Sequence, residues 1–403
     1  MDATLSEWLD LVIRWAHMIT GIAWIGASFY FNWLLNHLTS PKDPDDRVQG
    51  ELWAIHAGGF FKVEKRKIAP GQLPQTLHWF KWEAYWTWIT GFALLVLIYY
   101  AQASIYLIDP GVADISVATA IAIGLGTLIV SWFAYDLMWR SPLAKSGWLA
   151  LGISTLFVVA VAYGLSQVFS GRGAYIHVGA MLGTWMVGNV FRVIMPAQRD
   201  LVAASEQGRE QDSRLTEFAE QRSLHNNYMT LPVLFIMISN HFPSTYGHDF
   251  NWAVLAVLFL VGAMVRYYFN VRHKSQGKLA VWTLPAAGAA ILALAYVTAP
   301  PSSDRGDAGP SVAFAEVQTL VLQHCVSCHS ATPTDESFDV APKNVMFDTP
   351  VQIKAMAQKI KATAVTTDTM PLGNMTEMTD EERILLGQWI DQGATIDQGT
   401  MSE

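Results

Sequence analysis

The chain has 403 residues, of which 52% are hydrophobic and only 15% charged. A soluble domain carries about 25% charge, so this composition places much of the chain in a lipid bilayer. The formal net charge of −8 gives no basis for nucleic-acid binding, and the 2 cysteines, Cys325 and Cys328, lie too close together to staple a fold.

Apolar runs of at least about 18 residues read as transmembrane helices. Such runs fall at roughly 9–37, 84–107, 115–138, 148–169, 174–196, 228–243, 250–271 and 279–299, the sixth being short. Residues 1–8 lack the basic stretch of a cleavable signal peptide, so none is expected. The fold class expected is all-α: a polytopic membrane bundle of about eight transmembrane helices over 1–299. The stretch 300–310, rich in Pro, Gly and Ser, reads as a linker, and 311–403 as one small C-terminal domain. The first and fifth runs, RWAHMITGIAWIGASFYFNWLL and YIHVGAMLGTWMVGNVFRVIMP, each place an early His before small residues and a Trp, the pattern of an internal repeat.

Basic residues concentrate in alternate loops. Lys42, Arg47, Lys62, Lys65, Arg66, Lys67 and Lys81 lie in the first loop. Arg140 and Lys145 lie in the third. Arg199, Arg209, Arg214 and Arg222 lie in the fifth, and Arg272, Lys274 and Lys278 in the seventh; the even loops hold only Arg172. Lys/Arg-rich loops stay cytoplasmic, so both termini are expected outside.

Residues 325–329 read Cys-Val-Ser-Cys-His. Two thiols at this spacing form thioethers to the vinyl groups of one haem, and the following His sits under the iron as proximal ligand. A structural zinc site needs further ligands, and the chain has no second Cys pair. A redox dithiol of the thioredoxin kind needs a βαβ pattern that is missing here. The expected cofactor is therefore haem c, bound by Cys325, Cys328 and His329. The surrounding segments, FAEVQTLVLQHC and TMPLGNMTEMTDEERILLGQWIDQGA, resemble small class I cytochromes c. That resemblance implies a Met-Pro sixth ligand, matched by Met370-Pro371, with Met346, Met375 and Met378 as rivals. Thr379 and Glu382 have the spacing of a capping box that starts a last helix.

Polar side chains at membrane depth are costly and mark functional sites. With the orientation above, Arg14, His17, His177 and His241 fall near the outer side. His56, His78, Glu83, Asp136, Arg192, His225, Asn226 and Asn227 fall near the cytoplasmic side. His17 lies one turn from both Arg14 and Gly21, a face suited to a flat porphyrin, and the alternative is a histidine hydrogen-bonded between helices. The first helix also resembles that of the membrane-embedded protoporphyrinogen oxidases, whose early His binds haem b. This implies His17 as a ligand of a haem b iron, and its depth in the membrane makes His177 a second candidate ligand. The cytoplasmic layer, with amides and an imidazole in RSLHNNYMTLP, suits an anionic substrate. The alternative is that its Lys and Arg only enforce topology.

The motifs WAHMITGIAWIGASFYFNWLL, HAGGFF, HWFKWEAYWTW, RSLHNNYMTLPVLF and CVSCH together resemble the bacterial integral-membrane urate oxidases, or urate hydroxylases, over nearly the whole chain. That family joins an eight-helix N-terminal domain to a C-terminal cytochrome c. The resemblance implies oxidation of urate to 5-hydroxyisourate in purine breakdown. Electrons would leave through cytochrome c to a soluble or membrane cytochrome or terminal oxidase. It also implies the bacterial inner membrane, with the cytochrome domain periplasmic. Position and chemistry nominate Arg192 to orient the urate monoanion and His225 or Glu83 as the base. Three rivals stay open. They are a non-catalytic electron-transfer subunit relaying from quinol or a partner dehydrogenase, a porphyrinogen oxidase, and a transporter with a fused cytochrome.

Overall fold

The computed structural model describes residues 3–41, 47–68, 72–210, 212–274, 277–299 and 311–396. The predicted linker 300–310 lies outside the described residues.

The chain opens with α1 (Ala3–His37), followed by a hairpin of β1 (Val48–His56) and β2 (Gly59–Arg66). Next come α2 (Trp82–Leu94), α3 (Ala103–Tyr106), α4 (Val117–Arg140), α5 (Gly147–Ser166), α6 (Gly171–Asn189) and α7 (Met195–Gln207). The bundle continues with α8 (Ser213–Ser239), α9 (Pro243–Tyr246), α10 (Asn251–Val271), α11 (Gly277–Ala280) and α12 (Thr283–Val297). The C-terminal segment holds α13 (Phe314–His324), α14 (Pro350–Ala355), α15 (Ala357–Ile360) and α16 (Asp380–Asp391).

Six helices among the described residues are long and apolar enough to cross a membrane: Thr4–His37, Val117–Arg140, Gly147–Ser166, Gly171–Gln207, Asn251–Val271 and Gly277–Val297. The other two predicted runs are also helical but differ from the expectation. The 84–107 run is interrupted: α2 passes into a π-helical turn over Leu95–Tyr100, and α3 follows as a separate short piece. The 228–243 run belongs to a longer helix, because α8 starts at Ser213 with a polar half and carries Pro232 inside it. The outward faces of α5 and α12 expose Trp148, Leu156, Leu292 and Tyr296, as surfaces in contact with lipid do.

Local chemistry explains where helices begin. Ser116 accepts from the Thr119 N–H ahead of α4, Ser170 from Gly173 ahead of α6, and Asp212 from Arg214 ahead of α8. After α7, Gly208 takes a left-handed conformation with φ 69° and ends the helix.

The hairpin corrects the all-α expectation. Strands β1 and β2 pair antiparallel around Ala57 and Gly58, whose φ values of 49° and 76° are both positive. Two positive φ values in a two-residue turn match the twist of the flanking strands. The motif HAGGFF is therefore the tip of this hairpin. Its base continues from α1: Thr39 bridges Glu51, with both backbone bonds at 2.9 Å. The sequence hides the hairpin because Ala-Gly is a weak turn signal and neither strand alternates cleanly between buried and exposed residues.

The bundle core runs through Tyr99, Leu128, Tyr135, Met181, Trp185, Ile236 and Leu255. A separate core closes the C-terminal segment, where Phe314 of α13 meets Trp389 of α16 with ring centroids 5.6 Å apart. The two parts touch at a glycine. A Cβ on Gly247 would lie 2.6 Å from Thr367 Cβ and 2.8 Å from Thr369 Cγ2, so only glycine allows this approach.

Another glycine sets the α4–α6 contact. A Cβ on Gly188 would lie 2.6 Å from the Trp132 indole. Gly188→Ala should therefore destabilise the bundle by about 1–3 kcal/mol through overpacking. Thermal melting of detergent-purified protein checks this, and an unchanged midpoint would contradict the packing.

Candidate functional site

The polar centre of the bundle is built on α8. Arg222 is 0% exposed, and its Nη2 donates to Asp136 Oδ1 of α4 at 2.8 Å. Its Nη1 donates to Asn189 Oδ1 of α6 at 3.3 Å, and its guanidinium lies over the Tyr135 and Phe218 rings. Asp136 also accepts from Arg140 Nε at 2.8 Å. Sequence reading placed Arg222 among the loop charges. That is corrected here, because α8 extends well before the apolar run and carries Arg222 inside.

The next polar residues of α8 face three different neighbours. His225 Nδ1 lies 2.8 Å from the Tyr135 hydroxyl, and the Trp139 ring centroid is 4.1 Å from the His225 ring. Asn226 donates to the Met186 carbonyl at 2.9 Å and accepts from Asn189 Nδ2 at 2.8 Å. Asn227 meets Ser28 of α1 and Arg266 and Asn270 of α10.

Donor and acceptor bookkeeping assigns the His225 tautomer. Asn189 Oδ1 accepts from Arg222, so Nδ2 is the group that donates to the Tyr135 oxygen at 3.0 Å. The Tyr135 hydroxyl is then free to donate to His225 Nδ1. The remaining nitrogen, Nε2, carries the proton, so neutral His225 offers a donor rather than the base expected from sequence.

The other nominated residues do not gather around it. Arg192 is exposed on the π-helical turn Val190–Ile194. Glu83 lies in the first turn of α2, with Oε2 buried and unpartnered among the described residues. No hydrogen bond or ion pair among the described residues joins any two of Arg192, His225 and Glu83. A small cavity between α5, α6, α8 and α10 is apolar, lined by Val158, Val178, Pro232, Phe235, Leu255 and Phe259, and offers nothing to a polar purine.

Of the two histidines expected to hold haem b, only one keeps a free nitrogen. His17 Nδ1 lies 3.0 Å from the Thr87 carbonyl and donates to it, and Nε2 has no partner among the described residues. His177 is fully buried. Its Nδ1 donates to the Gly173 carbonyl at 2.8 Å, and its Nε2 accepts from the Tyr100 hydroxyl at 3.1 Å. Gly124 presses on this pair: a Cβ there would fall 2.6 Å from His177 Nε2. A porphyrin at His177 does not fit this packing. Arg14, expected to face a propionate, pairs with Asp10 at 2.6 Å instead.

In the C-terminal segment, α13 delivers Cys325 and the motif turns sharply, with the His329 N–H donating to the Cys325 carbonyl at 2.8 Å. Burial pushes the Cys325 thiol up to about 12 and also raises Cys328, the reverse of a reactive dithiol. His329 Nδ1 donates to the Val345 carbonyl at 2.9 Å, and the Phe347 N–H donates back to the His329 carbonyl at 2.9 Å. This fixes the ring and leaves Nε2 with its lone pair. Burial lowers the pKa of His329, which keeps that lone pair free. Asp348 extends the clamp by accepting from Ser330 Oγ at 2.5 Å and from the Ala331 N–H at 2.9 Å.

Met370 packs partly buried against the same core as Cys325. Arg383 of α16 donates to the Met370 carbonyl at 2.7 Å, to Asn374 Oδ1 at 3.1 Å and to the Ala364 carbonyl, so the Met370 loop hangs from one guanidinium. Two of the three rivals are placed elsewhere: Met378 is 3% exposed inside the core and Met375 is 59% exposed. Arg383 and Asn374 escaped the sequence reading, because a loop brace has no local signature. The predicted capping box is present, with Thr379 and Glu382 bonded reciprocally.

Fold and site together define a helical bundle with six helices long and apolar enough to cross a membrane and an internal ionic network, joined to a small helical segment that presents a Cys-Val-Ser-Cys-His loop. The chain belongs to the urate oxidase N-terminal family, which matches residues 3–299 and relates it to the enzymes of urate oxidation. No curated protein and no solved structure matches it.

The ion pair yields a prediction. Removing one partner of a buried pair strands the other charge, at about 3–5 kcal/mol. Asp136→Ala should cost that much, and Asp136→Leu combined with Arg222→Met much less. Chemical denaturation of both variants in detergent measures the difference, and equal losses would show that the pair is not desolvated.

Proposed function

We propose that this chain is a membrane-bound oxidoreductase that converts urate to 5-hydroxyisourate. Its N-terminal part, 1–299, crosses the bilayer eight times, and 311–403 forms a class I cytochrome c domain outside the cytoplasm. Electrons pass through haem c to a soluble or membrane cytochrome or terminal oxidase. The observation that carries this reading is the coexistence, in one chain, of the family match over 3–299 and a CVSCH loop whose proximal imidazole is pre-oriented.

The residues present fit a c-type haem. Cys325 and Cys328 stand at thioether spacing, His329 Nε2 is free, and Met370 packs on the same core. When bound, haem c supplies a one-electron acceptor of raised potential, as imidazole–thioether ligation does. The chain's own residues bind, orient and manage protons. Urate plus water gives 5-hydroxyisourate, two electrons and two protons. Glu83, with an unpartnered carboxylate oxygen, takes a proton from urate or the attacking water. No step is assigned to a haem b.

The second reading, a relay subunit without its own substrate, is favoured by the tight packing around Arg222 and His225.

Replacing both Cys325 and Cys328 by alanine tests the first reading. Membranes with the variant should lose the haem-staining band on a denaturing gel and lose urate consumption, while the bundle still accumulates. Undiminished urate turnover without covalent haem would contradict it.

A further inference from the structure

Among the described residues of the bundle, two guanidiniums are buried, and only one has a counter-charge. Arg222 has Asp136. Arg266, in the apolar helix α10, is 7% exposed and has no carboxylate partner among the described residues. Its neighbours are neutral. Nε and Nη2 both donate to Asn227 Oδ1, at 3.1 and 2.7 Å, and Nη2 also donates to Asn270 Oδ1 at 3.0 Å. Asn270 Nδ2 donates to the same Asn227 oxygen at 2.9 Å. Below the guanidinium lies the Phe29 ring, 4.0 Å from the guanidinium carbon to the centroid. Nη1 has no hydrogen-bond partner among the described residues and is not fully enclosed, so it stays open to a ligand.

This cluster has donors in excess and acceptors in deficit. One amide oxygen takes three N–H groups, while the cation keeps its charge. A cation–π contact recovers only about 0.5–2 kcal/mol. An uncompensated charge in an apolar span costs more than that and persists where a ligand supplies the missing charge. The missing group is an anion that accepts several hydrogen bonds at once, as a flat oxygen-rich purine anion does. Arg forks suit such acceptors bidentately, and the amides of Asn227 and Asn270 can turn to a purine edge.

We propose that Arg266, with Asn227 and Asn270, is the anion-binding element that holds the urate monoanion. The inference rests on the urate reading above and adds the residues that recognise the charge.

The test uses full-length holoprotein in zwitterionic nanodiscs, with wild type, Arg266→Gln and Asn270→Asp. Asn270→Asp places a carboxylate beside the guanidinium. Urate affinity is read by equilibrium dialysis, and kcat and KM by urate-driven haem reduction. Both variants should raise the Kd and KM for urate about 10- to 100-fold, the worth of a charged hydrogen bond. Haem reduction by ascorbate should stay unchanged. Asn270→Asp should also melt higher than wild type, so its loss of affinity cannot come from misfolding. Wild-type Kd and KM in a folded Asn270→Asp would overturn the inference and leave the urate reading intact. Wild type that neither binds nor oxidises urate would overturn both. If the variants lose only retained phosphatidylglycerol, with urate affinity unchanged, the anion is a lipid phosphate and the proposal falls.

Discussion

The Arg222–Asp136 ion pair fixes the register of α8 against α4 and α6, and the rest of the polar centre follows from that register. A guanidinium with no exposed surface tolerates little displacement, because any slip leaves a charge without its partner in a low-dielectric interior. With Arg222 held, residues 225, 226 and 227 point in directions set by helical geometry. His225 reaches Tyr135 and Trp139 on α4, Asn226 reaches Asn189 on α6, and Asn227 reaches α1 and α10. One stretch of α8 thus serves a hydrogen-bonded histidine on one side and an uncompensated arginine on the other.

The C-terminal segment obeys a related logic on a smaller scale. There the constraint is a loop, not a helix. His329 is held between Val345 and Phe347, and Met370 hangs from Arg383. The loops that carry His329 and Met370 are therefore braced by the chain itself, which would reduce the ordering that any bound group must impose. The contact of Gly247 with Thr367 and Thr369, just before Met370, sets this loop close to the bundle.

Much of this was legible in the sequence, and what was not has physical causes. Long apolar runs announce helices because bilayer depth demands them, and Thr379 with Glu382 announced α16 through local cap chemistry. The Cys-Val-Ser-Cys-His string is equally local. Arg222 was misread because a basic residue ahead of an apolar run looks like a topology charge, and only the length of α8 shows that it is inside. Arg192 misled in the opposite direction: it closes an apolar helix in sequence yet lies exposed on a π-helical turn. Arg266 and Arg383 depend on partners distant in sequence, so no window reveals them. The hairpin hid behind a weak turn signal, and His177 looked like a ligand until both ring nitrogens were seen to be used.

The central claim is that urate itself feeds electrons to the C-terminal haem. Under argon, urate added to purified wild-type protein should bring up the absorption bands of reduced haem c without quinol or any partner protein, and without hydrogen peroxide. Haem that stays oxidised with urate yet reduces promptly with quinol would contradict the account and identify the chain as a relay.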